Sequence, residues 1–248
     1  MRNHGPVNRP GFWSWAAALS WSLSAPAIAG VSASSALSSD YDYRGVTQTG
    51  DDAAAQFALD FNAAHAHLQC WTSNVRYDDR ARFYGSAHTE VALTANIPVG
   101  HEHGWSGDVG VSEDIFPGLK PNSDYDEGYV TLAHGRYSSS VHYAWDYDHL
   151  PTARGAYYIE ANASWPMWAR RLLMLAHVGE SGGPYWREFN GRAYQDYSLG
   201  VARRMRTMEV NLRYVGTRRY APIPFGQPLS GAGRLVLTVS ATWPIHVR

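Results

Sequence analysis

The chain is nearly without cysteine and lysine. Cys70 is the only thiol among 248 residues, which excludes an intramolecular disulfide, a cysteine-built zinc cage and a Cys-x-x-Cys redox pair. Lys120 is the only lysine, the other basic residues are arginines, and 21 basic against 22 acidic groups leave a formal net charge of −1. Such a balance lacks the basic footprint of a nucleic-acid-binding protein. Beyond the N-terminal region no run approaches the 18 or so consecutive apolar residues of a membrane-spanning helix, so a helical membrane protein is excluded. Charge is also scarce, at 17%, whereas aromatic residues reach 13%, with 16 Tyr and 10 Trp. A chain this rich in rings is expected to fold.

The first residues have the layout of an export signal. Arg2 and Arg9 precede an apolar stretch from Phe12 to Leu23, and Ala27-Ile28-Ala29 offers small residues ahead of Gly30. Residues 1–29 are therefore expected to be a cleaved signal peptide, with the mature domain covering 30–248. Ser14, Ser20, Ser22, Ser24 and Pro26 would make a poor membrane anchor.

Period-two alternation recurs through the mature chain. Tyr157, Ile159, Ala161, Ala163 and Trp165 alternate with Tyr158, Glu160, Asn162 and Ser164. The same rhythm runs through 141–148, 207–214 and 234–243, and more faintly through 56–62 and 90–97. About twelve strands are expected, near 31–43, 53–63, 67–77, 86–97, 104–113, 126–135, 139–148, 155–166, 170–178, 192–203, 206–216 and 231–243. Connections alternate between long, polar or Gly/Pro-rich segments and tight turns. That asymmetry predicts an all-β fold: a transmembrane, antiparallel up-and-down β-barrel of about twelve strands, with short periplasmic turns and longer external loops. Closure follows from the solvent, because lipid offers the backbone no hydrogen bonds. Tyr41, Tyr43, Trp71, Tyr77, Trp105, Trp145, Tyr147, Trp165, Trp168 and Trp243 fall near predicted strand ends, where aromatic girdles sit.

The run Leu37-Ser38-Ser39-Asp40-Tyr41-Asp42-Tyr43-Arg44-Gly45-Val46-Thr47-Gln48-Thr49 resembles the opening motif of the TorF porin family of bacterial outer membranes. Gln56, Asp60, Trp71-Thr72-Ser73-Asn74-Val75, Tyr129, Tyr185-Trp186, 194–201 and 212–217 are similar to its later strands. The resemblance implies an outer-membrane barrel with pore activity, and supplies neither a substrate nor catalytic residues. One departure lies at the end of the chain, where Trp243 is followed by Pro244-Ile245-His246-Val247-Arg248 instead of closing it for the barrel-assembly machinery.

Twelve strands about 4.8 Å apart, tilted about 40–45°, close at a backbone radius of roughly 12–13 Å. Parity places Asp40, Asp42, Arg44, Asp60, Glu90, His142, Asp146, Asp148, Glu160, Glu209, Arg213 and Arg234 on the inner face as candidate lumen-lining residues. Acidic groups are in excess, so an open lumen would prefer cations. Alternatively these charges pair and fill the barrel, as Glu209 with Arg213 or Arg234 would, and Arg44 between Asp40 and Asp42 reads as a structural clamp. The functional expectation is a porin for small polar solutes or ions, with no cofactor, no metal and no chemistry. Its partners would be outer-membrane lipid and lipopolysaccharide, the assembly machinery and an unnamed solute, with no nucleic acid. The alternative is a closed barrel serving as a scaffold or surface-interaction protein.

An outer-membrane lipid hydrolase is the third reading, since enzymes exist on such barrels. Gly179-Glu180-Ser181-Gly182-Gly183 satisfies the Gly-x-Ser-x-Gly pattern, but an all-β chain lacks the strand-to-helix elbow, and the segment reads as an external loop. His142 points inward without an evident serine partner. His65 with His67 and His101 with His103 have metal-ligand spacing but fall in predicted turns. Asp51-Asp52, Asp78-Asp79 and Asp124-Tyr125-Asp126-Glu127 read as solvated acidic clusters on outer loops.

Overall fold

The computed structural model describes residues 30–63, 65–78, 85–100, 104–119, 124–145, 155–167, 172–221 and 230–245. The expected signal peptide, Asp146, Asp148, Tyr147, Trp168, Asp79, His101 and His103 lie outside them. Fourteen strands and one short helix follow in order: β1 (Gly30–Ser38), β2 (Asp42–Tyr43), β3 (Val46–Thr47), β4 (Ala54–Asn62), β5 (His67–Asp78), β6 (Ser86–Val99), β7 (Trp105–Ile115), β8 (Tyr125–His134), β9 (Tyr137–Ala144), β10 (Ala156–Met167), β11 (Leu172–Gly182), α1 (Pro184–Phe189), β12 (Tyr194–Met205), β13 (Met208–Arg218) and β14 (Arg234–Ile245).

Twelve strands close one antiparallel barrel in the ring order β1-β14-β13-β12-β11-β10-β9-β8-β7-β6-β5-β4, while β2 and β3 form a separate two-stranded unit. Closure runs through β1, which pairs with β14 from Val31↔Ile245 to Ser38↔Thr238 and with β4 from Gly30↔Asn62 to Ser38↔Ala54. Gly30 at the start of β1 and Ile245 at the end of β14 therefore lie at one rim, the near rim. Tight turns such as Gly135–Arg136 and Arg206–Thr207 sit there too, and the fully described long connections, 39–53 and 183–193, lie at the far rim.

The burial pattern is inverted relative to a water-soluble protein. On β10 the polar face, Glu160 and Asn162 among it, is buried, while Ile159 is 46% exposed. Leu37, Val111, Val178, Leu199 and Leu235 are more than half exposed. A soluble sandwich would bury these side chains and wet the carboxylates. Trp105, Tyr137 and Trp243 are exposed near one rim, and Tyr143 and Trp145 near the other.

Several expectations are corrected. Strand β1 stops at Ser38, not near 43, because the chain turns into the barrel there. Trp71 is no girdle residue: it is buried and packs edge-on against Tyr41 at 5.3 Å. Tyr77 similarly faces Phe116 at 5.3 Å. Residues Gly179–Gly182 belong to β11, paired with β10 from Tyr157↔Gly182 to Glu160↔Gly179, and are not an external loop. A strand-to-helix turn does follow them, through Gly183 into α1, whose first residue Pro184 needs no N–H partner. Tyr185 and Trp186 of α1 are buried with Tyr194 in an aromatic cluster at the far rim. Burial pushes the neighbouring Tyr220 hydroxyl up to about 12, so it stays neutral at pH 7.

Candidate functional site

The candidate site is the far half of the lumen, which the segment between β1 and β4 enters as a hairpin. Its turn residues, Arg44 (φ 50°) and Gly45 (φ 82°), both have positive φ, the signature of a two-residue type I′ turn between Tyr43 and Val46. Glycine is required at the second place for a further reason. A Cβ on Gly45 would sit 2.6 Å from Asp196 Cβ on β12 and from Thr217 Cγ2 on β13.

At its root the hairpin is held by Arg234 of β14. Arg234 Nε donates to Asp40 Oδ1's partner oxygen, Oδ2, at 2.5 Å, and Nη2 donates to Asp42 Oδ1 at 2.8 Å. Asp40 also accepts the hydroxyls of Thr47 and of Thr49, the latter at 2.8 Å. Burial raises the Asp42 carboxyl above its ordinary range, and Arg213 and Arg234 pull it back. Tyr41 donates to Glu90 Oε1 on β6 at 3.1 Å. Burial, with Glu90 and Asp114 adding to it, lifts the Tyr41 hydroxyl well above its usual range, so it remains a donor. Gln48 accepts the Arg76 N–H of β5 on its carbonyl at 2.8 Å and the Tyr77 hydroxyl on its side chain.

The tip reaches the opposite wall. Arg44 Nη2 donates to Glu127 Oε2 on β8 at 2.7 Å, and its guanidinium lies 4.3 Å above the Tyr158 ring of β10 and 4.8 Å from Tyr43. Arg44 and Glu127 are each only 3% exposed. His142 of β9 stands 3.3 Å from the same Glu127 oxygen and stacks on Tyr129. Tyr43 and Tyr125 share a hydroxyl contact of 2.9 Å.

Beside the tip lies a second buried polar group. His177 Nε2 meets Asp196 Oδ1 at 2.6 Å and the Tyr158 hydroxyl at 3.1 Å, and Nδ1 meets Asn162 Oδ1 at 2.8 Å. Glu160 stands 3.7 Å from His177 Nδ1, and neither of its carboxylate oxygens takes a hydrogen bond. Nearer the chain ends, Asp60 accepts from Gln69 at 2.8 Å and pairs with His67 at 3.0 Å, and Arg204 bonds Glu209 at 2.9 Å.

The structure thus places the sequence candidates as follows. Asp60, Glu90, His142, Glu160, Glu209 and Arg213 are buried on barrel strands. Asp40, Asp42 and Arg44 are buried too, but on the inturned segment and not on a wall strand. The clamp is rearranged: Arg234 takes the place between Asp40 and Asp42 that was expected of Arg44, whose partner is Glu127. Glu209 pairs with Arg204, not with Arg213 or Arg234. Glu127, read as an outer-loop charge, is an inward residue of β8; the alternation Tyr125, Glu127, Tyr129 carried that signal. His177 and Asp114 were also missed. Their strands mix small and polar residues on both faces, so parity is weak there. Among the described residues no group of three His, Cys, Asp or Glu converges as metal ligands.

Comparison with known proteins fits this architecture. The chain is similar to the solved KdgM porin at 8% identity and a TM-score of 0.53, covering 87% of this chain and 99% of that one. It is similar to the NanC porin at 6% identity and a TM-score of 0.56, covering 87% and 100%. At such identity the likeness concerns the fold alone. No curated protein matches the sequence. A family model matches residues 24–247, and the chain accordingly belongs to Gcw_chp, a family described as bacterial protein of unknown function.

Proposed function

We propose that the protein is a narrow outer-membrane channel for small polar solutes, obstructed in this conformation by the hairpin around Arg44, and that it performs no chemistry. The observation that carries the reading is the inverted burial of a closed barrel. Exposed Leu, Val and Ile form an exterior that lipid would cover, and the ionisable groups are enclosed. The fold shared with porins and the resemblance of the Leu37–Thr49 motif to TorF porins support it. In this reading the near rim is periplasmic and the far rim faces outward. Residues 1–29 are removed on export, and lipopolysaccharide and the assembly machinery are the membrane partners. Excess lumen carboxylates favour cations over anions once the path opens.

Ser181, the serine of the Gly-x-Ser-x-Gly pattern, is not set up as a nucleophile. It is fully buried, and its hydroxyl takes no hydrogen bond, so no imidazole activates it. A second reading, a closed scaffold barrel, is favoured by the burial of Arg44, Glu127, Tyr158 and His177, since a permanently water-filled bore would leave them wet. Planar-bilayer recording separates the two. Stepwise, salt-dependent currents from folded, heat-modifiable protein support the channel; silence from the wild type and from a variant lacking the hairpin supports the scaffold.

A further inference from the structure

We infer that the far half of the lumen is a recognition site for small zwitterionic peptides, a substrate class that rests on the channel reading above. Apart from Asp196 on β12, which pairs with His177 of β11, and Glu209 on β13, which pairs with Arg204, the wall charges are segregated. Arg234 lies on β14 and Arg213 on the adjacent β13, while Glu127 on β8 stands diametrically across a ring of twelve strands from β14, with Glu160 on nearby β10. A bore of this kind has a transverse field, basic on one side and acidic on the other.

The occupant of that field is itself a peptide carrying the complementary dipole. Asp40 and Asp42 meet Arg234 on the basic wall, and Arg44 meets Glu127 on the acidic wall. Its backbone is also recognised: the Gly45 carbonyl accepts from Arg234 Nη1 at 3.3 Å, the Thr47 N–H donates to the Ser230 carbonyl at 3.1 Å, and the Gln48 carbonyl accepts the Arg76 N–H at 2.8 Å. The lumen is therefore built around a chain segment with carboxylates at one side and a cation at the other. Glu160 adds a buried carboxylate whose oxygens accept no hydrogen bond, 3.7 Å from His177 Nδ1.

A solute that replaces the hairpin must satisfy both walls together, because a buried charge left unpaired costs far more than a paired one contributes. A simple cation or anion satisfies one wall only, and a neutral sugar satisfies neither. A peptide of about three residues, spanning roughly 10 Å when extended, offers an ammonium for Glu127 on the acidic wall and a carboxylate for the basic wall of Arg213 and Arg234.

The test reads binding and not current, so that its failure is distinct from failure of the channel reading. Residues 39–53 are replaced by Asn-Gly, which joins the paired Ser38 and Ala54 through a two-residue turn. Titration calorimetry on the detergent-folded variant then compares triglycine with its uncharged N-acetyl, C-amide analogue. The inference predicts triglycine binding at least tenfold tighter, and a roughly tenfold loss on adding either Glu127→Gln or Arg234→Gln. Equal binding of the two ligands, or binding of neither, overturns it. Should the shortened chain fail to fold, Arg44→Ala in the full-length chain serves instead: the same preference for triglycine supports the inference and its absence overturns it. Currents without triglycine preference would leave the channel standing and remove the peptide site; triglycine binding by a barrel that never conducts would do the reverse.

Discussion

Arg44 and Glu127, 83 positions apart in sequence, meet at 2.7 Å in the far half of the lumen, one on the inserted hairpin and the other on the barrel wall. Arg44 rides on a segment rooted between β1 and β4, and Glu127 projects from β8 across the ring. One ion pair thus ties an inserted hairpin to the far wall, and at 3% exposure water screens it little.

Removing either partner should undock the hairpin. Breaking a buried pair leaves an uncompensated charge at a cost of about 3–5 kcal/mol. Arg44→Ala or Glu127→Gln is expected to expose the segment around Tyr43 and Val46 to thermolysin, with cleavage mapped by mass spectrometry. The paired replacement Arg44→Met with Glu127→Leu should restore much of the protection, because it removes both charges together.

Gly45→Ala should weaken docking by a different route. The residue has φ +82°, and the added methyl would meet Asp196 Cβ and Thr217 Cγ2 at 2.6 Å. Strain and overpacking together cost about 2–4 kcal/mol. Proteolysis should again report an opened hairpin, while barrel circular dichroism and heat-modifiable mobility stay unchanged. Unchanged protection would show that the turn has room the structure denies it.

Cys70 reports on the exterior without any substitution. It is exposed on β5, opposite Leu59 and Leu93 of the neighbouring strands, on the apolar outer face. A fluorophore attached there after reconstitution should be quenched strongly by lipids labelled in their acyl chains and weakly by aqueous iodide. The opposite ranking would place this face in water.

The strands were legible because their chemistry repeats every second residue. Tyr157–Trp165 reads as one greasy and one polar face, and β10 follows it with Glu160 and Asn162 inward. The hairpin was not legible for the same reason. Asp40, Asp42 and Arg44 keep the two-residue rhythm, so parity extends β1 through them, and nothing local marks Ser38 as the last wall residue. What departs from a strand is Arg44-Gly45, a turn pair, which alternation alone does not weigh. The partners of Arg44 and Arg234 were equally hidden, since which wall residues face one another depends on ring order and shear, and one sequence specifies neither directly. Glu127 was misplaced because Asp124, Asp126 and Glu127 look like one solvated cluster until the strand start at Tyr125 is known.

Single-channel conductance of the wild type against the variant with Asn-Gly in place of 39–53 tests the central claim most directly. A barrel obstructed by its own hairpin predicts brief or small events from the wild type and stable steps at least severalfold larger from the variant, with ion selectivity shifted as Asp40, Asp42 and Arg44 leave. Identical step sizes and selectivity in the two folded proteins would contradict it, since the segment would then not stand in the path.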